Sequence, residues 1–340
     1  MPVRLAEVAR HAGVSEATAS RVLSGRGYVS PNSQARVRAA VLALDYVPHP
    51  AARALSRART TTAALLVHHA QYPAGGEGTF TSRVVHAVTR GLREMAYDLL
   101  YVVVDDEAVT RLERLSAVGR GRSDGVIVLG PAFPVESMRA LAATGRPVVL
   151  VDNHVPDLGL PSVMADNTPA TEALVSHLVV THGYHRIACL AGPQDWPSTV
   201  ERVAGYEAVL SAHGLPRHIV HAPETTLRDG ALGAEQLIDE RPDAIVAVND
   251  ALAIGALHHL RRLPHRPAVV GFDDIAWARL TEPPLTTVSV DADLIGLHAA
   301  RLLLERIERP DDPPAPPVRV AAVPRIRGSC GCEVPQEELA

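Results

Sequence analysis

Seven short apolar runs frame this chain: AALLVHH, LLYVVVD, GVIVLG, PVVLVD, RIACLAG, AIVAVND and AVVGFDD, each separated from the next by a helix-length stretch. The runs are rich in Val, Ile and Leu and do not alternate with polar residues, as strands buried on both faces require. Buried strands with helical crossovers read as parallel sheets in a βαβ arrangement. The pattern starts at Thr61 and continues for some 280 residues, too many for one such sheet. Ligands of open α/β sheets lie beyond the carboxyl ends of the strands, so the ends of these runs are the place to look for a site.

The first 60 residues have another texture. They hold nine Arg against Glu7, Glu16 and Asp45, a charge of +6, so the rest of a chain of net charge -5 carries -11. That asymmetry is the mark of a small basic module joined to an acidic body. Leu5, Val8, Ala9 and Ala12 repeat with helical spacing, and Gly13 stands where a helix end favours positive φ. Ser15 is a good N-cap for a second helix that turns Val14, Ala19 and Val22 inward and Glu16, Ala17, Ser20 and Arg21 outward. A third helix starts at Ser30-Pro31 and buries Val37, Ala40, Val41 and Leu44. Two helices about a tight Gly turn, braced by a third, form a helix-turn-helix or a plain three-helix packing module. The small, polar outer face of the second helix suits the major groove, about 12 Å wide.

Cys189, Cys330 and Cys332 are too few for a disulfide framework, and no run approaches the ~18 apolar residues of a membrane helix, so a cytoplasmic location is expected. Cys330-Gly331-Cys332 has no second pair of ligands nearby in sequence, so neither metal nor cofactor is expected.

The motifs LAEVARHAGVSEATASRVLSG, VSPNSQARVRAAVLALDYVPHPAARAL, ACLAGP, ERVAGY, VNDALAIGAL, VVGFDDI and PPLTTVSVD occur in an order that resembles the lactose/galactose repressor (LacI) family across nearly the whole chain. The resemblance implies an α+β multidomain repressor that binds a near-palindromic operator as a homodimer, with affinity set by a small effector. The module would span residues 1–47, a hinge 48–60, and an effector-binding and dimerisation domain 61–330, with a tail at 331–340. That domain would be periplasmic-binding-protein-like, with parallel sheets in two subdomains: about 61–160 with 291–320, and about 161–290 with 321–330. By position, Ala17 and Arg21 would face base edges, with Ser15 and Glu16 beside them and Thr18, Ser20 and Tyr46 near phosphates or packing the module. Arg21 can take guanine O6 and N7 with its fork, or clamp a phosphate. Glu16 either accepts from a cytosine amine or lies aside. In the hinge, Leu55 would wedge into the minor groove, flanked by Arg53, Arg57 and Arg59, with His49 as a poor helix cap.

Polar groups gather at the ends of the apolar runs: Asp152, Ser198, Arg202, Asn249 and Asp273. Together with Phe80 they suit a polyol or sugar, whose hydroxyls donate and accept at once. Asp250 and Asp274 read as helix caps, and Asp152 and Asn249 serve either the ligand or turns. The family's Asn-Pro-Phe-Phe is replaced by HHAQYPAGGEGTF, Thr225 and Val290 stand at further family ligand positions, and aromatic residues make up only 4%. His68, His69 and Trp196 either supply the missing faces or serve packing and surface. A phosphorylated sugar, a nucleoside and a non-sugar effector stay open.

Gly121-Arg-Ser-Asp-Gly125 spells the G-x-S-x-G of a nucleophile elbow but precedes a strand instead of following one, so Ser123 reads as a turn residue and no enzyme is expected. A transported-solute binding protein would share the α/β body but has no use for a basic module.

Overall fold

In the computed structural model, residues 3–24, 28–46, 59–71, 79–119 and 121–333 are described. His49, Arg53, Leu55 and Arg57 of the expected hinge, and the tail beyond Glu333, lie outside them. The basic module is α1 (Leu5–Ala12), α2 (Glu16–Ser24) and α3 (Pro31–Ala43), closed around Val8, Ala9, Ala12, Ala19, Val37, Ala40 and Tyr46. Gly13 ends α1 at φ 61, a region in which an L side chain meets its own backbone. Ser15 caps α2 by accepting from the Thr18 N–H at 3.2 Å, and Ser30 caps α3 with Pro31 in its first turn.

The body holds two parallel sheets. The first is built from β1 (Thr62–His68), β2 (Asp98–Val104), β3 (Gly125–Leu129), β4 (Val148–Val151), β5 (Ser162–Ala165) and β11 (Val318–Val320), in the order β11-β5-β4-β3-β1-β2. Around it run α4 (Phe80–Glu94), α5 (Val135–Ala143) and α10 (Ala292–Glu308), the last packed on α4 and on β3 to β5. The second sheet is β7-β6-β8-β9, from β6 (Ile187–Ala191), β7 (His218–His221), β8 (Ala244–Ala247) and β9 (Ala268–Val270). Its helices pair as α6 (Asn167–His182) on α7 (Pro197–Ala212) and α8 (Leu227–Leu237) on α9 (Asp250–Leu260). Strands β3, β4, β5, β6 and β8 are buried at every position, which is why their sequences run apolar without alternation.

The chain crosses between the sheets three times. The first crossing follows Ala165, because β5 pairs in parallel with β4 and belongs to the first sheet. The first crossing, expected near residue 160, thus lies just after Ala165, where β5 ends and its ladders are complete. The other two crossings are β10 (Thr287–Val290) and β12 (Ala322–Arg325), which pair antiparallel to each other, the exception to the parallel pattern.

Candidate effector cleft and DNA-facing module

The carboxyl ends of β1, β3, β4, β6, β8 and β9 open on one cavity of about 340 Å³ between the two sheets, at the place such sheets offer a ligand. Phe80, Asp152, Ser198, Arg202, Asn249 and Asp273 all line it. Thr225 lines it too, while Val290 is buried and does not. Both tryptophans of the chain, Trp196 and Trp277, are in the wall, and with Phe80 they provide three aromatic surfaces in a protein poor in them. Trp277 carried no signal in the sequence: it follows the β9 loop in a short helical turn whose role only the fold reveals.

Arg202 is largely committed to protein. Its Nε donates to Asn167 Oδ1 at 2.9 Å and its Nη1 to the Val248 carbonyl at 2.5 Å. Its Nη2 lies 3.4 Å from Asp273 Oδ1, and its guanidinium lies 3.6 Å above the Phe272 ring. Three of five N–H groups are thus used before a ligand arrives, and the side chain is a floor strut as much as a donor. Asn167 also donates to Glu201 Oε2 at 2.8 Å, and Glu201 forms a two-pronged ion pair with Arg319 of β11 at 2.7 Å on each arm. A continuous polar chain, Arg319–Glu201–Asn167–Arg202–Asp273, therefore joins the crossover region to the cavity.

Burial pushes the Asp152 carboxyl up to about 7 against the pull of Arg202, with Asp273 and Glu201 adding to the rise. Burial pushes Asp273 up to about 6, and Arg202 restrains it. Asp152 (φ 52) and Asp273 (φ 111) both hold positive φ, a strain that the surrounding structure sustains at the cavity wall.

Two expected caps are corrected. Asn249 caps α9 by accepting from the Leu252 N–H at 2.9 Å, so it combines cap and cavity wall. Asp250, inside that helix, instead accepts from Ile275 N at 2.9 Å and Thr287 Oγ1 at 2.5 Å, tying α9 to a crossover strand. Asp274 caps nothing and pairs with Arg327 at 2.6 Å. In both cases a buried donor from a distant segment outcompetes the local backbone. His68 and His69 turn toward Asp106, at 3.1 and 3.4 Å, and are not in the cavity wall. Ser123 is buried and donates to the Ala117 carbonyl at 2.7 Å, the bond of a turn residue.

On the module, Ser15, Glu16, Ala17 and Arg21 are exposed and Thr18 and Ser20 half-buried. Tyr46 is 8% exposed and fills the three-helix core, which favours the packing role over phosphate contact. Arg59 donates to the Ile307 carbonyl at 3.1 Å, which anchors the start of the body.

Residues 4–49 match the family model described as bacterial regulatory proteins, lacI family. Residues 68–320 match the one for periplasmic binding proteins and the sugar-binding domain of the LacI family. The chain belongs to the LacI family. It is 35% identical to the HTH-type transcriptional regulator CelR of Thermobifida fusca over 88% of this chain and 90% of that one. To the HTH-type transcriptional regulator AscG of Escherichia coli it is 33% identical, over 84% and 86%. Among solved structures it resembles a transcriptional regulator CelR-cellobiose complex, at TM-score 0.71 and 30% identity over 96% of this chain and 99% of that one. The lac repressor dimer bound to operator and an anti-inducer shares its fold at TM-score 0.82 and 24% identity, over 97% and 99%. This LacI-family chain is thus a helix-turn-helix transcriptional regulator with a sugar-binding-type domain, a class of regulators and not of enzymes. Among the described residues no helix is long and apolar enough to cross a membrane.

Proposed function

We propose that this regulator represses transcription by binding a near-palindromic operator as a homodimer, and that a sugar or sugar derivative in the cavity sets its DNA affinity. The observation that carries the reading is the cavity wall itself. A buried carboxyl (Asp273), a half-buried one (Asp152), an amide, hydroxyls of Ser198 and Thr225 and three aromatic rings converge on one cavity. Carboxylates and amides serve the edges of a polyol, and apolar rings serve its C–H faces. A relative described in complex with cellobiose makes β-linked glucosides the first compounds to try.

The test is a DNA titration on operator selected from random sequence, with and without a panel of mono- and disaccharides, sugar phosphates and nucleosides. Trp277→Ala should bind operator as the parent does and lose response to the active sugar at concentrations that saturate the parent. Arg21→Ala should relax selectivity at one base pair per half-site by about 1–3 kcal/mol while leaving effector affinity unchanged. If no compound in the panel alters operator binding, or if Trp277→Ala responds like the parent, the cavity is not the regulatory site.

A further inference from the structure

The far end of the second subdomain gathers a cluster that the cleft does not use. His177 and His182, in the last turns of α6, meet Cys330 and Cys332, which lie some 150 residues later in the chain. The two imidazole Nε2 atoms are 3.3 Å apart. Cys330 Sγ is 3.7 Å from His177 Nε2, and Cys332 Sγ is 3.6 Å from His177 Nε2 and 3.4 Å from His182 Nε2. All four ligand atoms lie within 4.8 Å of one another, and neither thiol is in a disulfide.

These are the separations of a tetrahedron. Zinc bonds of about 2.0–2.1 Å to nitrogen and about 2.3 Å to sulfur place two ligand nitrogens about 3.3 Å apart and each nitrogen about 3.6 Å from each sulfur. Hydrogen bonding alone does not account for the crowding. His177 Nε2 has three such neighbours, and a ring nitrogen has one proton or one lone pair to offer. A single cation at the centre serves all four, and two thiolates would balance its charge.

The surroundings are arranged for this. Histidines five apart match the H-x₃₋₅-H spacing of zinc sites. Gly331 has φ 102, and a Cβ there would lie 2.9 Å from Tyr184 Oη, so only glycine lets both flanking cysteines turn to one point. Tyr184 stacks on His182, centroids 5.2 Å apart, and its hydroxyl donates to the Cys330 carbonyl at 3.1 Å. Thr286 Oγ1 donates to Cys330 Sγ at 3.2 Å, the kind of outer contact that holds a thiolate ligand in place.

We propose that His177, His182, Cys330 and Cys332 form a structural zinc site that fastens residues 328–333 to the end of α6. Four protein ligands leave no open position, so the metal is a clip and not a catalyst. It completes a set of ties already in place: Ser329 Oγ donates to the Val269 carbonyl at 2.5 Å and accepts from Thr286 N at 2.8 Å, just beyond crossover strand β12.

The experiment uses the full chain, purified under reducing conditions and dialysed against metal-free buffer, with zinc measured by mass spectrometry. About one zinc per chain is expected. Replacement by Co²⁺ should give a near-ultraviolet thiolate-to-cobalt band together with the visible bands of a tetrahedral site. Cys332→Ser and His182→Gln, at half-buried positions, should reduce zinc to background while circular dichroism and operator binding report that the chain folds. Should either variant fail to fold, the cobalt spectrum of the parent decides. The proposal is overturned if the reduced parent holds neither zinc nor tetrahedral cobalt, if both variants retain zinc undiminished, or if Cys330 and Cys332 are recovered joined to each other from reducing conditions.

Discussion

Asp152 and Asp273 share one cavity wall with unequal support: burial raises both carboxyls, but the Arg202 guanidinium reaches Asp273 directly, at 3.4 Å, and restrains it more. With its carboxyl raised from 3.8 to about 7, folded Asp152 keeps a proton that the unfolded chain has lost, so its contribution to stability falls as pH rises across that window. Denaturation midpoints of the effector-free protein at about pH 5 and pH 8 should therefore differ less in Asp152→Asn than in the parent. An effector hydroxyl that donates to Asp152 favours the ionised form. Its affinity should rise with pH over the same interval, with proton release visible by calorimetry in buffers of different ionisation enthalpy; proton uptake would mean that Asp152 donates as a neutral acid. Arg202 behaves differently from what its place at a strand end suggests. Arg202→Ala strands Asn167 Oδ1, the Val248 carbonyl and Asp273 in a buried site, a loss of roughly 3–5 kcal/mol by analogy with broken buried pairs. Thermal unfolding should show that loss with no ligand present. Five of the cleft residues were legible in sequence because each follows an apolar run, and Phe80 because it keeps the aromatic place that the family resemblance implies. The protein partners of Arg202 were not, since Asn167 and Val248 lie 35 and 46 residues away and only the packing of α6 against α7 brings Asn167 into reach.

Among elements, the turn between α1 and α2 depends most on one residue. A side chain at Gly13 would carry the left-handed penalty of about 1–2 kcal/mol, so Gly13→Ala should weaken operator binding and lower the stability of the module without altering effector affinity. Melting monitored on the isolated effector response and on DNA binding separates the two. The module was readable almost residue by residue, because caps, Gly turn and helical period are all local signals within 40 positions. Seven strands were readable for the same reason, whereas β5, β7, β10, β11 and β12 stood outside the apolar runs. Crossovers were less so: β5 is a four-residue strand, SVMA, too short to stand out as an apolar run, and only its ladder to β4 shows that the chain stays in the first sheet through Ala165. The pairing of β10 with β12 rests on backbone bonds between segments some 35 residues apart and leaves no periodic trace.

At the scale of the whole molecule, the ion pair of Glu201 with Arg319 ties α7 of one subdomain to β11 of the other, and Asn167 links it to the cavity floor. A ligand that moves Arg202 changes the geometry offered to this pair, so Glu201→Gln should alter the factor by which effector shifts operator affinity, within a typical coupling of ~1–3 kcal/mol, more than it alters either affinity alone. Paired titrations of DNA and effector, each in the presence of the other, measure that factor, and an unchanged factor would remove the polar chain from the switching path. The threefold crossing has a consequence for how the protein is made. Strand β11 covers the edge of β5, and β12 closes on β10, so the first sheet and the β10–β12 pair both wait for segments near residue 320. On the ribosome the DNA-binding head emerges and folds long before either sheet is complete. Until those last strands arrive, the growing chain presents an open β5 edge, the kind of surface that nascent-chain chaperones capture.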